Sequence, residues 1–318
     1  MKNHFILAFF CAFLLMSCSN QSTLQIYTLK NAISKDILTG FEAETGIKVR
    51  QTNFDTNEAM ITRLQANRRR YDLVITGNNA LENVISGGLA KRIDHSKLTN
   101  YRNINPVFQK LFYEPSNEYT IPYGANVFAI VYNPNISAIS IRSYLDLWHP
   151  ALLVQVGIVD DHRIVNGTAL RIIGESFNTN NPQSIRTAGE LLRLLAPNIR
   201  LVSNDRLAEE LVSGRVSAAL IDSSQIITAT RERPELQVVF PLEGVGYNVM
   251  ASFIPSNAPN PDTAYAFLNY ILGKAHRESL TFPEGFGPDS MEAIQEVNAE
   301  AEILHNNIWS ELRSIINP

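Results

Sequence analysis

The sequence predicts an α/β protein of two lobes with a ligand cleft between them. Three observations carry that expectation. Apolar, strand-like runs alternate with segments of helical spacing from residue 24 to residue 93, an order that implies a mostly parallel sheet covered on both faces. A second series of the same kind starts after the apolar run VFAIVY at 127–132. The length of 318 residues suits two domains of roughly 150 residues.

The elements follow in order. LQIYT at 24–28 is a short run of strand formers. Over 34–45, Ile37, Leu38 and Phe41 recur at helical spacing behind a Ser34 cap, and Gly46 ends the helix. IKVRQT at 47–52 alternates as a strand should. A helix over 57–69 places Met60, Ile61 and Leu64 on one face, and YDLVI at 71–75 is a buried strand entering the turn 76–79. A helix over 80–86 stops at Gly87-Gly88. Strands are then expected at 119–123 and 127–132, a turn at 133–135, a strand at 154–159, and helices over 165–176, 182–195 and 205–213. Strands at 217–222, 236–240 and 250–254 precede two final helices, 261–272 and 293–316. Ligands of open α/β sheets sit at the carboxyl ends of strands, which directs attention to 28–32, 76–79, 160–163, 222–225 and 247–250.

The first residues have a different job. Lys2 precedes twelve uninterrupted apolar residues, FILAFFCAFLLM at 5–16. A helix spanning a membrane needs about 20, whereas a signal peptide needs a cationic start and a short apolar stretch. The following Leu15-Met16-Ser17-Cys18 resembles a bacterial lipobox, so 1–17 is expected to be a lipoprotein signal peptide. Cys18 would then carry a diacylglycerol, with 18–23 as a polar tether to the membrane. The other cysteine, Cys11, would then leave with the signal, and cysteine catalysis with it.

Composition excludes several functions. A net charge of −4 provides no basic field for nucleic acid. The six histidines at 4, 95, 149, 162, 276 and 305 show no metal-ligand spacing, and no nucleophile elbow, phosphate loop or zinc-protease motif occurs. No enzyme activity, metal or cofactor is expected. Asp160-Asp161-His162-Arg163 is a tight polar cluster after a strand, open to a helix-capping role as well as to a site.

The chain resembles the spermidine/putrescine-binding proteins of bacterial ABC importers over nearly all of its mature length. The resemblance rests on FEAETGIKV at 41–49, TNEAM at 56–60, YDLV at 71–74, IDHSKLTN at 93–100, SNEYTIPY at 116–123, SYLDLWHP at 143–150, DDHR at 160–163 and IPSNA at 254–258. It implies a type II periplasmic-binding-protein fold with hinge crossovers, one lobe from 24–129 plus 250–292 and the other from 130–249 plus 293–318. It further implies capture of a small solute by lobe closure and delivery to an ABC permease with its ATPase subunits.

The resemblance also locates the cleft, where the chain departs from the family pattern. A polyamine calls for carboxylates around each ammonium and aromatic faces along the methylene stem. The family's paired aromatics after the first strand fall on Leu29 and Ala32, with Lys30 and Asn31 between them, and the aromatic after the third strand falls on Asn79. Asp161 keeps one family carboxylate, but its acidic neighbour is Ile164. Asp222 replaces a tryptophan, and Asn248 and Met250 replace a Trp–x–Asp pair. The candidate ligand contacts are Asp161, Asp222, Asn248, Lys30, Asn31, Asn79 and Tyr123. Ordinary turn and cap roles compete for the Asp and Asn positions, a solvated loop for Lys30, and the core for Tyr123. These replacements leave two ligand classes open, a polyamine or an amino acid or other non-polyamine solute. A sensor or adhesin lipoprotein on the same scaffold is the alternative outside transport.

Overall fold

The structure, a computed structural model, describes residues 22–29, 32–66, 70–104, 106–274 and 290–316. The signal stretch, Cys18, Lys30 and Asn31 lie outside the described residues, as do the side chains of Asn79 and Tyr123.

The first series runs β1 (Thr23–Leu29), α1 (Lys35–Thr45), β2 (Lys48–Phe54), α2 (Asn57–Gln65), β3 (Leu73–Gly77) and α3 (Leu81–Ser86). Its helix ends are set locally. The Ser34 hydroxyl accepts from the Ile37 N–H (3.3 Å), and Gly46, at φ 71°, donates back to the Glu42 carbonyl. A left-handed residue that closes a helix costs glycine little. Thr56 caps α2 by accepting from the Ala59 N–H. The strands pair in parallel, β2 and β3 flanking β1.

Next come β4 (Thr120–Tyr132), β5 (Val156–Ile158), α4 (His162–Ile172), α5 (Pro182–Leu195), β6 (Ile199–Val202), α6 (Leu207–Val212), β7 (Ala218–Asp222), α7 (Ser223–Glu232) and β8 (Gln237–Val239). The chain closes with β9 (Val245–Phe253), α8 (Pro261–Lys274), β10 (Met291–Ala293) and α9 (Ala299–Ile316). Strand order is β2-β1-β3-β9-β4-β7-β5-β6, with β10 beside β9 and β8 beside β4.

Two strands connect the halves. β4 pairs with β9 from Thr120 to Val127, then with β7 from Phe128 to Tyr132. The apolar core divides at the same place. Val127 packs with Tyr27, Tyr71, Val245, Val249 and Phe253, whereas Phe128 packs with Ile158, Leu170, Phe177 and Leu220. A further cluster under α8 joins Leu24, Ile26, Phe41, Ile75, Phe267 and Leu268. Phe240 touches both halves.

Several elements differ from expectation: β6 is not among the expected strands, and β9 begins at Val245 rather than at 250. The strands expected at 119–123 and 127–132 are one strand, which absorbs Pro122 and Gly124 as a register shift against β9. The helix expected over 165–176 starts at His162, because the Asp161 carboxylate caps it. The helix expected over 293–316 starts at Ala299. Residues 291–293 are drawn into the sheet beside β9, and the Asn298 side chain caps the helix through the Ala301 N–H (2.9 Å).

The chain passes between the halves a third time at Ala293 and Ile294, which pack into the first and the second core respectively, and this crossing is fastened on both sides. The Asn178 amide donates to the Ala293 carbonyl (2.8 Å) and to Glu292 Oε1 (3.0 Å), and its oxygen accepts from the Gln295 N–H (2.8 Å). Ser176 donates its hydroxyl to the Glu292 carboxylate. From the first half, Asn78 donates to the Ile294 carbonyl (2.9 Å) and accepts from the Val249 N–H (3.0 Å). Packing here is tight: a Cβ on Gly246 would lie 2.9 Å from Phe177 and 3.1 Å from Ile294. Gly246→Val is therefore expected to lower stability by about 1–3 kcal/mol through overpacking, read by urea unfolding. Combining it with Phe177→Leu should restore part of the loss; a neutral Gly246→Val would show that the ring yields freely.

Candidate functional site

The site is built where β4 changes partners. On one side of β4, Asn126 stands opposite Asn248 of β9. On the other side, two residues further, Phe128 stands opposite Asp222 of β7. Ser223, the first residue of α7, reaches across and donates its hydroxyl to Asn126 Oδ1 (3.0 Å). Asp222 and Asn248 therefore lie on the two strands that flank β4, and Ser223 and Asn126 bridge the space between those strands. Asn126 gives no local signal in the sequence, since an Asn inside a strand becomes meaningful only through its register.

Asp222 is buried and fully engaged. Its Oδ1 accepts from the Ser224 N–H (2.9 Å), the Ser224 hydroxyl (2.6 Å) and the Gln225 N–H (3.3 Å), and Oδ2 accepts from the Gln225 side-chain amide (2.8 Å). Oδ1 thus makes the N-cap while Oδ2 holds the Gln225 side chain, so Asp222 fixes the start of α7. Asn248 is half-buried, and its side chain makes no hydrogen bond among the described residues, which leaves a donor and an acceptor for a ligand.

Asp161 lies at the same sheet end. β5 runs parallel to β7, with Ile158 opposite Leu220, so the residues after each strand emerge side by side. Asp161 Oδ1 accepts from the Arg163 N–H (2.9 Å) and the Ile164 N–H (3.1 Å). Oδ2 has no hydrogen bond among the described residues. The cap reading and the ligand reading are thus compatible in one residue, one oxygen for each.

The facing half contributes polar strand ends. Thr76, fully buried, donates its hydroxyl to Asn57 Oδ1 (3.0 Å). The buried Thr28 hydroxyl has no partner among the described residues. Asp55 follows β2 and is exposed; its charge acts on Tyr27, whose phenol is raised first of all by burial. Asp55 sits one residue past Phe54, the register partner of Leu29. Asn79 follows Asn78, the residue that grips the second and third crossings. The two tryptophans are elsewhere, Trp148 donating to the Leu191 carbonyl (2.8 Å) and Trp309 lying under Arg313.

A buried polar network stands behind Asp161, between α4 and α9. The Arg163 guanidinium meets Glu302 (3.5 Å) and the Phe177 carbonyl (3.1 Å), and His162 bonds Glu302 (2.7 Å). The Asn166 amide bonds both the ring and the carbonyl of His305 (3.0 Å each). His305 is completely buried. Burial, with Arg163 adding to it, pushes the ring down to about 4. For Glu302 burial pulls upward, but His162 and Arg163 prevail and hold it below the usual carboxylate range. No group of side chains among the described residues could hold a metal ion, and no described helix is long and apolar enough to cross a membrane.

Comparison with known proteins gives the family of the chain. The family model for bacterial extracellular solute-binding proteins matches residues 36–302. The spermidine/putrescine-binding periplasmic protein 1 of Haemophilus influenzae is 31% identical over 302 residues, covering 91% of this chain and 84% of the relative. The spermidine/putrescine-binding periplasmic protein of Salmonella typhimurium is 32% identical over 271 residues, 83% of this chain and 78% of the relative. The crystal structure of a spermidine/putrescine ABC transporter substrate-binding protein from Streptococcus pneumoniae superposes with a TM-score of 0.77 at 25% identity, covering 93% of this chain and all of the other. The fold is that of a type II periplasmic binding protein. Matched by sequence and by fold along almost its whole described length, the chain belongs to the bacterial extracellular solute-binding protein family, and its work is to hold a solute rather than to transform one.

Proposed function

We propose that this protein is the solute-binding component of an ABC importer of the spermidine/putrescine type. In this reading it is held outside the cytoplasm by an acylated Cys18 and closes its two lobes, 24–129 with 250–292 and 130–249 with 293–318, around a small polar amine. Its partners are a permease and ATPase subunits. The observation that carries the reading is the similarity to spermidine/putrescine-binding periplasmic proteins along most of both chains. In support, Asp161 Oδ2 makes no hydrogen bond among the described residues, and a carboxylate oxygen with that freedom suits an ammonium.

A second reading is an amino acid or other non-polyamine solute. It is favoured by Asp222, whose oxygens are both engaged within the protein, and by Leu29 and Ala32 at positions where the family carries aromatics. Two ammonium groups facing few free carboxylates would be poorly compensated, since an unpaired buried charge costs several kcal/mol, roughly.

Thermal unfolding with spermidine, putrescine and a set of amino acids separates the two. A true ligand at 100 times its dissociation constant adds about 2.7 kcal/mol of stability. Asp161→Asn keeps the helix cap and removes the charge, so it should leave the free protein's Tm nearly unchanged and weaken binding of an amine at least tenfold. Stabilisation by amino acids alone would replace the polyamine reading; unchanged amine affinity in Asp161→Asn would remove that residue from the site.

A further inference from the structure

The far edge of the second lobe carries a pocket that solute capture does not use. β6 ends the sheet order and pairs only with β5. Beside it lies an open surface depression of about 400 Å³ lined by Val154, Arg200, Leu201, Arg206, Glu210 and Arg215. Three of these six residues are arginines, in a chain whose net charge is −4.

Their arrangement is built rather than incidental. Glu210 is 4% exposed and serves as a hub: Arg215 Nε and Nη2 donate to it (2.8 and 3.0 Å), and Arg206 Nη2 donates from one helical turn away (3.0 Å). Arg215 Nη2 also donates to the exposed Glu209 (2.7 Å), so three guanidinium groups face two carboxylates and the cluster keeps one positive charge. A buried carboxylate that fixes two guanidinium groups removes much of the conformational cost of presenting them to a third party. Arg200 makes no hydrogen bond or ion pair among the described residues. It is the extra residue of a register shift, since Val156 pairs with Ile199 and Gly157 with Leu201, and such bulges re-aim a side chain. Val154 completes the wall at φ 55°, a conformation that a β-branched residue adopts only under constraint.

We infer that this pocket is an oxyanion site for a phosphate-bearing ligand. Arg200 supplies the unneutralised charge, Arg206 and Arg215 are held in place by Glu210, and Val154 and Leu201 form an apolar wall. The phosphate can belong to a small soluble ester or to an anionic lipid headgroup; the recognition chemistry is the same. The inference is independent of which solute the cleft takes.

The test uses the purified, unacylated chain at low ionic strength, where such contacts are least screened. Calorimetric titration with inorganic phosphate reads the soluble source, and cosedimentation with phosphatidylglycerol vesicles, against phosphatidylcholine controls, reads the headgroup source. Saturable binding in either arm that falls at least tenfold in Arg200→Gln and in Arg206→Gln supports the site and names its source. Arg200→Gln is an exposed edge change, so the fold and the cleft's affinity for its solute should be preserved. Absence of binding in both arms, or binding undiminished in Arg200→Gln, overturns the inference.

Discussion

Lowering the pH from 6.5 to 5 is expected to destabilise the protein by about 2 kcal/mol through His305 alone, at about 1.4 kcal/mol per pH unit. The cause is the completely buried ring, which burial and then Arg163 hold down to about 4. Between an unfolded value near 6.5 and that folded value, the unfolded chain binds a proton that the folded chain refuses. The contribution is complete above pH 6.5 and is lost as the pH falls toward 4. The charged and titratable groups facing His305 are Arg163 and His162, which oppose its protonation, and Glu302, which favours it. Glu302 is itself held low, so its stabilising effect is lost only as the pH falls through its own depressed range, below the window of His305. Urea unfolding at several pH values should show a shallower slope between 6.5 and 5 for His305→Gln than for the parent chain. Equal slopes would mean that the ring is not kept neutral.

Asp72→Ala should cost about 2–4 kcal/mol. The carboxylate is fully buried, accepting from the Gln25 N–H of β1 (2.8 Å) and from the Asn260 N–H just before α8 (2.7 Å). It thus joins the first lobe's early and late segments. Alanine would leave two backbone donors without partners, each worth about 1–3 kcal/mol when buried. Asp72→Asn keeps one acceptor and should lose about half as much. Burial raises the Asp72 pKa despite both N–H donors. This group therefore opposes acid destabilisation, because the folded state takes the proton first. A denaturant midpoint unchanged by Asp72→Ala would show that water replaces both contacts.

Much of the fold was legible because its determinants are local. Ser34 and Gly46 bracket α1 as the caps they read as in sequence, and the apolar runs of β1, β3 and β7 need no partner to be recognised. The continuity of β4 was hidden by Pro122 and Gly124, which read as a break and are instead tolerated as a shift against β9. β10 is three residues long, too short for any periodic signal. The site divides along the same line. Asp161 and Asp222 could be found as acids following strands, but only long-range register joins Asn126 to Asn248 and brings Ser223 onto Asn126. Asn78, buried with both ends of its amide bonded to the crossings, looks like one more turn residue beside Asn79 until those partners are seen.

The position of β9 has a consequence for how the protein can be made. β9 lies between β3 and β4, yet the ribosome produces it only after every strand from β4 to β8. The first sheet therefore stays open at its centre until nearly the whole polypeptide has been synthesised. β3 and the first half of β4 wait meanwhile with unsatisfied edges. A chain with this order cannot complete its amino-terminal half until β9 has emerged, so the last third of the polypeptide is needed to close the sheet that the first third begins.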